Sequence, residues 1–165
     1  MDAPRRKPSR LPEHDYSSPG AYFVTICTQN RRQILSTVTV GADALGGPTV
    51  QLTDIGKIAE KHLLSTDRIG GLHVEKYVIM PNHVHMILVI EGRNGPPGAS
   101  APTAASIPDA VGAWKRLVHR EVGQKIFQRS YHDHVIRNEE DFRAVWEYIE
   151  NNPARWAKDR YYTEG

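Results

Sequence analysis

Cysteine is almost missing from this chain: Cys27 is the sole example among 165 residues. A lone thiol excludes an intramolecular disulfide and a thiolate metal cage, and it suits a reducing interior. Long hydrophobic runs are missing as well. No apolar stretch approaches the roughly 20 residues that a membrane-spanning helix needs, so no membrane partner is expected. The opening "MDAPRRKPSRLPEHDY" lacks the apolar centre of a secretory signal, and it is too rich in proline for an amphipathic transit helix. A cytoplasmic protein is the expectation.

Internal repeats are absent, and so is a strong charge imbalance. The formal charge of +2 and a pI near 8.7 are mildly basic, and the total alone says little about a nucleic-acid partner. What the sequence does have is clustering. Arg5, Arg6, Lys7 and Arg10 crowd the start, Arg31 and Arg32 form a pair, and Lys115, Arg116 and Arg120 fall on one helical segment. A solvated surface with a disordered tail would show the same clusters, so both readings stay open.

The length suits one domain with its own core, and 39% hydrophobic and 24% charged residues are ordinary for a globular fold. We expect a single domain over residues 1–165, with a flexible basic tail over 1–15. A flexible loop is expected over 92–107, where "GRNGPPGASAPTAASI" offers almost nothing to bury.

Periodicity supplies the elements. "AYFVTICTQN" is β-branched, aromatic and alternating, which predicts a strand. "TVTVGADALGGPTVQL" predicts a small hairpin around a glycine-rich turn. Thr53 is the expected N-cap of a helix through "TDIGKIAEKHLLSTD". "LHVEKYVIM" and "HVHMILVIE" predict two strands joined through Pro81 and Asn82. Ser106, with Pro108 in the first turn, starts a second helix, and "KIFQRSYHDHVI" reads as strand. Asn138 caps a last helix whose first turn holds three acids and whose end is marked by Pro153. That order predicts an α+β fold: a ferredoxin-like antiparallel sheet with helices packed on one face.

Within "MPNHVHMILVI", His83 and His85 stand at i and i+2 of a strand. They therefore project from the same face with Cα atoms roughly 6.5 Å apart. Two imidazoles so placed can converge on one ion, with a third oxygen or nitrogen expected from elsewhere. Alone, the pair reads more readily as a sheet-edge cap beside a satisfied core histidine, so context must decide. On the last helix Tyr148 and Asn152 stack four residues apart, with Asp141 and Val145 continuing that stripe. Phe142, Trp146 and Ile149 form the adjacent apolar face. A tyrosine, two histidines and an amide oxygen make a coherent set for attack on a phosphodiester. A free phenol has a pKa near 10, so phenolate at pH 7 costs about 4 kcal/mol, which an adjacent divalent cation offsets.

"PGAYFVTICTQNRR", "MPNHVHMILVI" and "RSYHDHVIRNEEDF...YIENNPARW" resemble the single-tyrosine HUH transposases of insertion sequences, and more closely their REP-associated tyrosine transposase branch. The resemblance covers most of residues 10 to 158. It implies a metal-dependent transposase, a single-strand DNA endonuclease and strand transferase that cuts near hairpins through a 5′-phosphotyrosine intermediate. His83 and His85 match the family's metal-binding pair, Tyr148 its nucleophile and Asn152 the third ligand, for Mg²⁺ or Mn²⁺. The match at Asn152 is to the REP-associated branch, since the insertion-sequence enzymes carry another polar residue there.

The partner implied is single-stranded or hairpin DNA, which makes a nucleoid-associated location the expectation; a homodimer and a monomer both fit. The basic residues expected on DNA are Arg5, Arg6, Arg10, Arg31, Arg32, Lys115, Arg116, Arg120 and Arg137, joined by His134. Tyr131, Tyr161 and Tyr162 are rival nucleophiles without a helix-borne partner one turn away. His132 and His134 repeat the i, i+2 spacing, and Asp133 between them predicts a polar surface strand. The alternative function is a hairpin DNA-binding protein on the same fold that does not cut.

Overall fold

The computed structural model describes residues 10–39, 47–66, 71–92 and 106–163. Arg5, Arg6 and Lys7 of the basic tail, and residues 93–105 of the expected loop, lie outside the described residues. At the described end of the tail, the Arg10 guanidinium lies 4.7 Å from the centre of the Tyr131 ring.

Among the described residues, six strands and three α-helices follow in the expected order: β1 (Gly20–Cys27), β2 (Ser36–Thr39), β3 (Thr49–Leu52), α1 (Asp54–Thr66), β4 (Leu72–Ile79), β5 (His83–Ile90), α2 (Ile107–Val122), β6 (His132–Ile136) and α3 (Glu139–Asn151). The four long-range strands form one antiparallel sheet in the order β4-β5-β1-β6, and β2 pairs with β3 as a separate hairpin. This is the ferredoxin-like α+β arrangement expected. No described helix is long and apolar enough to cross a membrane.

The caps sit where the sequence puts them. The Thr53 hydroxyl accepts from Gly56 N, the Ser106 hydroxyl from Asp109 N and the Asn138 side chain from Asp141 N. Each satisfies a backbone N–H that the first turn leaves without a partner. α2 ends at Gly123, whose φ of 85° a side-chain-bearing residue rarely adopts.

One expectation needs correcting. α1 and α2 share a face of the sheet, but α3 packs on the other. β1 sends Tyr22, Val24 and Ile26, and β5 sends Val84, Met86 and Leu88, into the core under α1 and α2. The opposite face, with Phe23 and Ile87, receives Val145 and Ile149 of α3, flanked by Phe142 and Trp146. Central strands buried on both sides read as continuous apolar runs, and β5 is nearly such a run. A bulge between Val74 and Lys76 in β4 reverses the alternation. Val74 and Tyr77 both face α1, while Lys76 turns to α3, its ammonium 4.0 Å from the centre of the Trp146 ring and 3.8 Å from Glu150.

Candidate metal and nucleophile site

Register fixes the site. In β5 the odd-numbered residues face α3, so His83 and His85 share the face with Ile87 and lie opposite Cys27 and Thr25 of β1. Both are fully buried, and their ring centres are 4.4 Å apart. Each imidazole is held through Nδ1. Asn82 Nδ2 donates to the carbonyls of Tyr161 (2.7 Å) and Arg31 (3.3 Å), which turns its Oδ1 to accept from His83 Nδ1–H at 2.8 Å. Thr25 Oγ1 lies 2.7 Å from His85 Nδ1. A ring that donates through Nδ1 keeps its lone pair on Nε2, which is the form that binds metal.

Neither Nε2 has a hydrogen-bond partner, although both are buried. The third such atom here is Asn152 Oδ1. Asn152 follows the last turn of α3 and is itself buried, and its Nδ2 donates to Asp159 Oδ2 at 2.8 Å. The carboxylate takes the amide hydrogens, so the amide oxygen faces away from it. It comes close enough to His83 to favour that ring's charged form, without a well-formed hydrogen bond. Three buried acceptors without donors are costly unless something else satisfies them. Two imidazole nitrogens and an oxygen suit a divalent cation. The donor set therefore fits a divalent cation, the class of ion the resemblance implies.

Burial dominates the electrostatics. It pulls His83 down to about 4, against the opposing pull of Asp159, and it holds His85 well below the usual histidine range, helped by His83. Both rings are neutral at pH 7. Among the described residues, His83, His85 and Asp159 bring ligand atoms within 4.8 Å of one another.

Tyr148 stands on α3 beside this set, its ring centre 5.2 Å from that of His85 and 6.0 Å from that of Phe23. It is 37% exposed and lines a groove of about 480 Å³ with His85, His134, Arg160 and Tyr161. Burial raises its phenol, Asp159 raises it further, and Asn152 lowers it. Tyr161, expected only as a rival in the tail, is stacked on the site, its ring centre 4.6 Å from that of His83. It is 4% exposed, so its face is taken by protein. Tyr131 is also buried, and Tyr162 packs edge-on against Trp156.

The remaining predicted residues divide. His134 faces the groove and donates its Nε2–H to the Asp141 carboxylate of α3 at 2.8 Å. Arg31 lines a second, polar groove of about 570 Å³ with Gln29, Asn30, Gln128 and Arg129, and its guanidinium lies over Tyr161. Asn30 and Arg31 both have φ above 50°, a strained pair for side-chain-bearing residues. Arg32, Arg116, Arg120 and Arg137 are exposed. Lys115 is different: its ammonium donates to the carbonyls of Gln128 (2.7 Å) and Arg129 (3.2 Å), and burial lowers it to about 8.

Asp133 departs from the expected polar surface strand. It faces the side of the sheet opposite His134, with both oxygens buried and without hydrogen-bond partners, and burial raises its carboxyl. The sequence does not point to Asn82, Thr25 or Asp159 as site residues, and it offers Tyr161 only as a rival nucleophile. Asn82 follows Pro81 and reads locally as a turn, and nothing near the other three in sequence carries a ligand signature.

No family model matches the chain. An uncharacterized protein of Haemophilus influenzae is 29% identical over an alignment of 178 residues, spanning 96% of this chain and 94% of that protein. A solved structure of a REP-associated tyrosine transposase bound to a REP hairpin is 21% identical and superposes with a TM-score of 0.61 over 88% of this chain and 73% of that one. The two chains share a fold.

Proposed function

We propose that the chain is a metal-dependent transposase of the HUH type, cutting and rejoining single-stranded DNA beside hairpins. One observation carries the reading. His83 Nε2, His85 Nε2 and Asn152 Oδ1 are all buried without hydrogen-bond partners, and the histidines stand next to a half-exposed tyrosine on a groove. The fold shared with a hairpin-bound transposase supports it, as do the motifs that resemble that family.

Tyr148 is the nucleophile. Its oxygen attacks the phosphorus, forming a Tyr–O–P bond to the 5′ side and breaking the bond to the 3′ oxygen. That oxygen leaves with the proton that the phenol gives up. The ester bond is conserved, so rejoining needs no high-energy cofactor. Tyr161 is a poorer candidate because it is buried against His83, where a phosphate has no room to align.

His83, His85 and Asn152 would hold the cation. When bound, it supplies Lewis-acid polarisation of a phosphate oxygen and electrostatic support for phenolate. Asn82 keeps His83 in the metal-binding tautomer, and the Thr25 hydroxyl can accept from His85 Nδ1 in the same tautomer. Arg160, lining the Tyr148 groove, and Arg31 and Arg129, lining the polar groove, offer contacts to the DNA backbone, a sequence-blind and salt-sensitive contribution.

The test is incubation of labelled hairpin DNA carrying a single-stranded flank with the protein and Mn²⁺, followed by denaturing electrophoresis. The wild type and Tyr161→Phe form a denaturation-resistant adduct, and Tyr148→Phe forms none while still binding the hairpin. Hairpin binding with no adduct from the wild type would identify a non-cleaving DNA-binding protein instead.

A further inference from the structure

We propose that Asp159 is the anionic member of the metal set: through one carboxylate oxygen it orients Asn152, and its charge complements three neutral donors. The inference rests on the metal reading above and adds a residue to it. Two imidazoles and a carboxamide bring no negative charge to a divalent ion. Two guanidinium groups, those of Arg31 and Arg160, act on His83 from nearby. A cation entering such a place needs a counter-charge.

Asp159 is built into position. Its backbone N donates to Trp156 O at 3.0 Å, closing the 3-10 helix Pro153–Lys158, and its Oδ1 accepts from Tyr161 N at 2.8 Å. Its Oδ2 accepts from Asn152 Nδ2 at 2.8 Å, which is what presents Asn152 Oδ1 to the histidines. Each oxygen keeps a further lone pair, and the carboxylate shares a 4.8 Å neighbourhood with the donor atoms of His83 and His85.

The orienting and charge-bearing roles can be separated. Asp159→Asn keeps one acceptor oxygen for the Asn152 amide, gives up the second that Tyr161 N–H uses, and removes the charge, whereas Asp159→Ala removes both acceptors and the charge. Mn²⁺ binding to the DNA-free protein, followed by the electron paramagnetic resonance of the free ion, reads the affinity without any reaction. Asp159→Asn weakens Mn²⁺ binding about ten-fold or more, and Asp159→Ala weakens it at least as far. Exchanging the two side chains, with Asn152→Asp in the Asp159→Asn background, returns the charge and recovers affinity.

Wild-type affinity in Asp159→Asn, or an exchanged double variant no tighter than the single one, overturns the proposal. His83→Ala separates the levels. If it abolishes Mn²⁺ binding while Asp159→Asn does not weaken it, the metal site stands and Asp159 is no part of it. If the wild type binds no Mn²⁺, the metal reading falls and takes this proposal with it.

Discussion

Asn82 Oδ1 accepts from His83 Nδ1–H at 2.8 Å, while the other end of the same amide donates to Tyr161 O at 2.7 Å. One buried side chain thus sets the tautomer of a metal-ligand candidate and ties the C-terminal segment to the sheet. A turn residue has become a bracket.

Asn82→Ala therefore carries two costs. Removing the amide leaves His83 Nδ1 and the Tyr161 carbonyl unsatisfied, which destabilises the fold by about 1–3 kcal/mol. It also frees the imidazole to turn, so Mn²⁺ affinity falls about 10- to 100-fold. Urea denaturation checks the first effect and Mn²⁺ titration the second. Unchanged metal affinity would mean that Asn82 has only a structural part.

The buried histidines make stability depend on pH. His83 is lowered by burial from 6.5 to about 4, so between those values the unfolded chain binds the extra proton and the folded chain does not. Stability therefore rises with pH across that window; it is fully present above about 6.5 and is lost as the pH falls toward 4. For His83 alone the loss is on the order of 3 kcal/mol, and His85 acts in the same direction. Urea midpoints across this range in His83→Gln should fall less steeply than in the wild type.

Gly56 tests packing against propensity. A Cβ there would stand 1.9 Å from the Leu35 carbonyl oxygen, the same oxygen that accepts from Thr53 N at 3.0 Å. Alanine gains about 1 kcal/mol in helix propensity, but overpacking against a fixed backbone atom outweighs it. Gly56→Ala should destabilise by about 2–3 kcal/mol net, read from the urea midpoint. A stabilised variant would show that α1 can shift away from Leu35.

Two cations near the polar groove should behave differently. Arg129 is exposed and lines the groove. Arg129→Ala should lower the slope of log affinity for hairpin DNA against log salt by about 1 and change stability by no more than about 0.5 kcal/mol. Lys115 is committed to two carbonyls, so Lys115→Met should leave the slope unchanged and destabilise by about 1–3 kcal/mol. Fluorescence anisotropy over a salt series distinguishes them. A reduced slope in Lys115→Met would return Lys115 to the phosphate contacts expected from the sequence.

Much of this protein is written in short stretches. Thr53, Ser106 and Asn138 cap helices because their oxygens reach N–H groups only a few residues on, and the alternation in β1 and β5 sets which side chains share a face. The projection of His83 and His85 together, and the stacking of Tyr148 above Asn152, follow from strand and helix periods alone.

Which atoms meet across the fold is another matter. Asn82 and Tyr161 are 79 residues apart, Thr25 and His85 are 60 apart, and no local period ties either pair. The side of the sheet taken by α3, the bonding of Lys115 to two carbonyls and the arrival of Asp159 beside the histidines were decided only on packing. A side chain's partner depends on the space left when two-sided burial of the sheet is satisfied, and sequence periodicity carries no measure of that space.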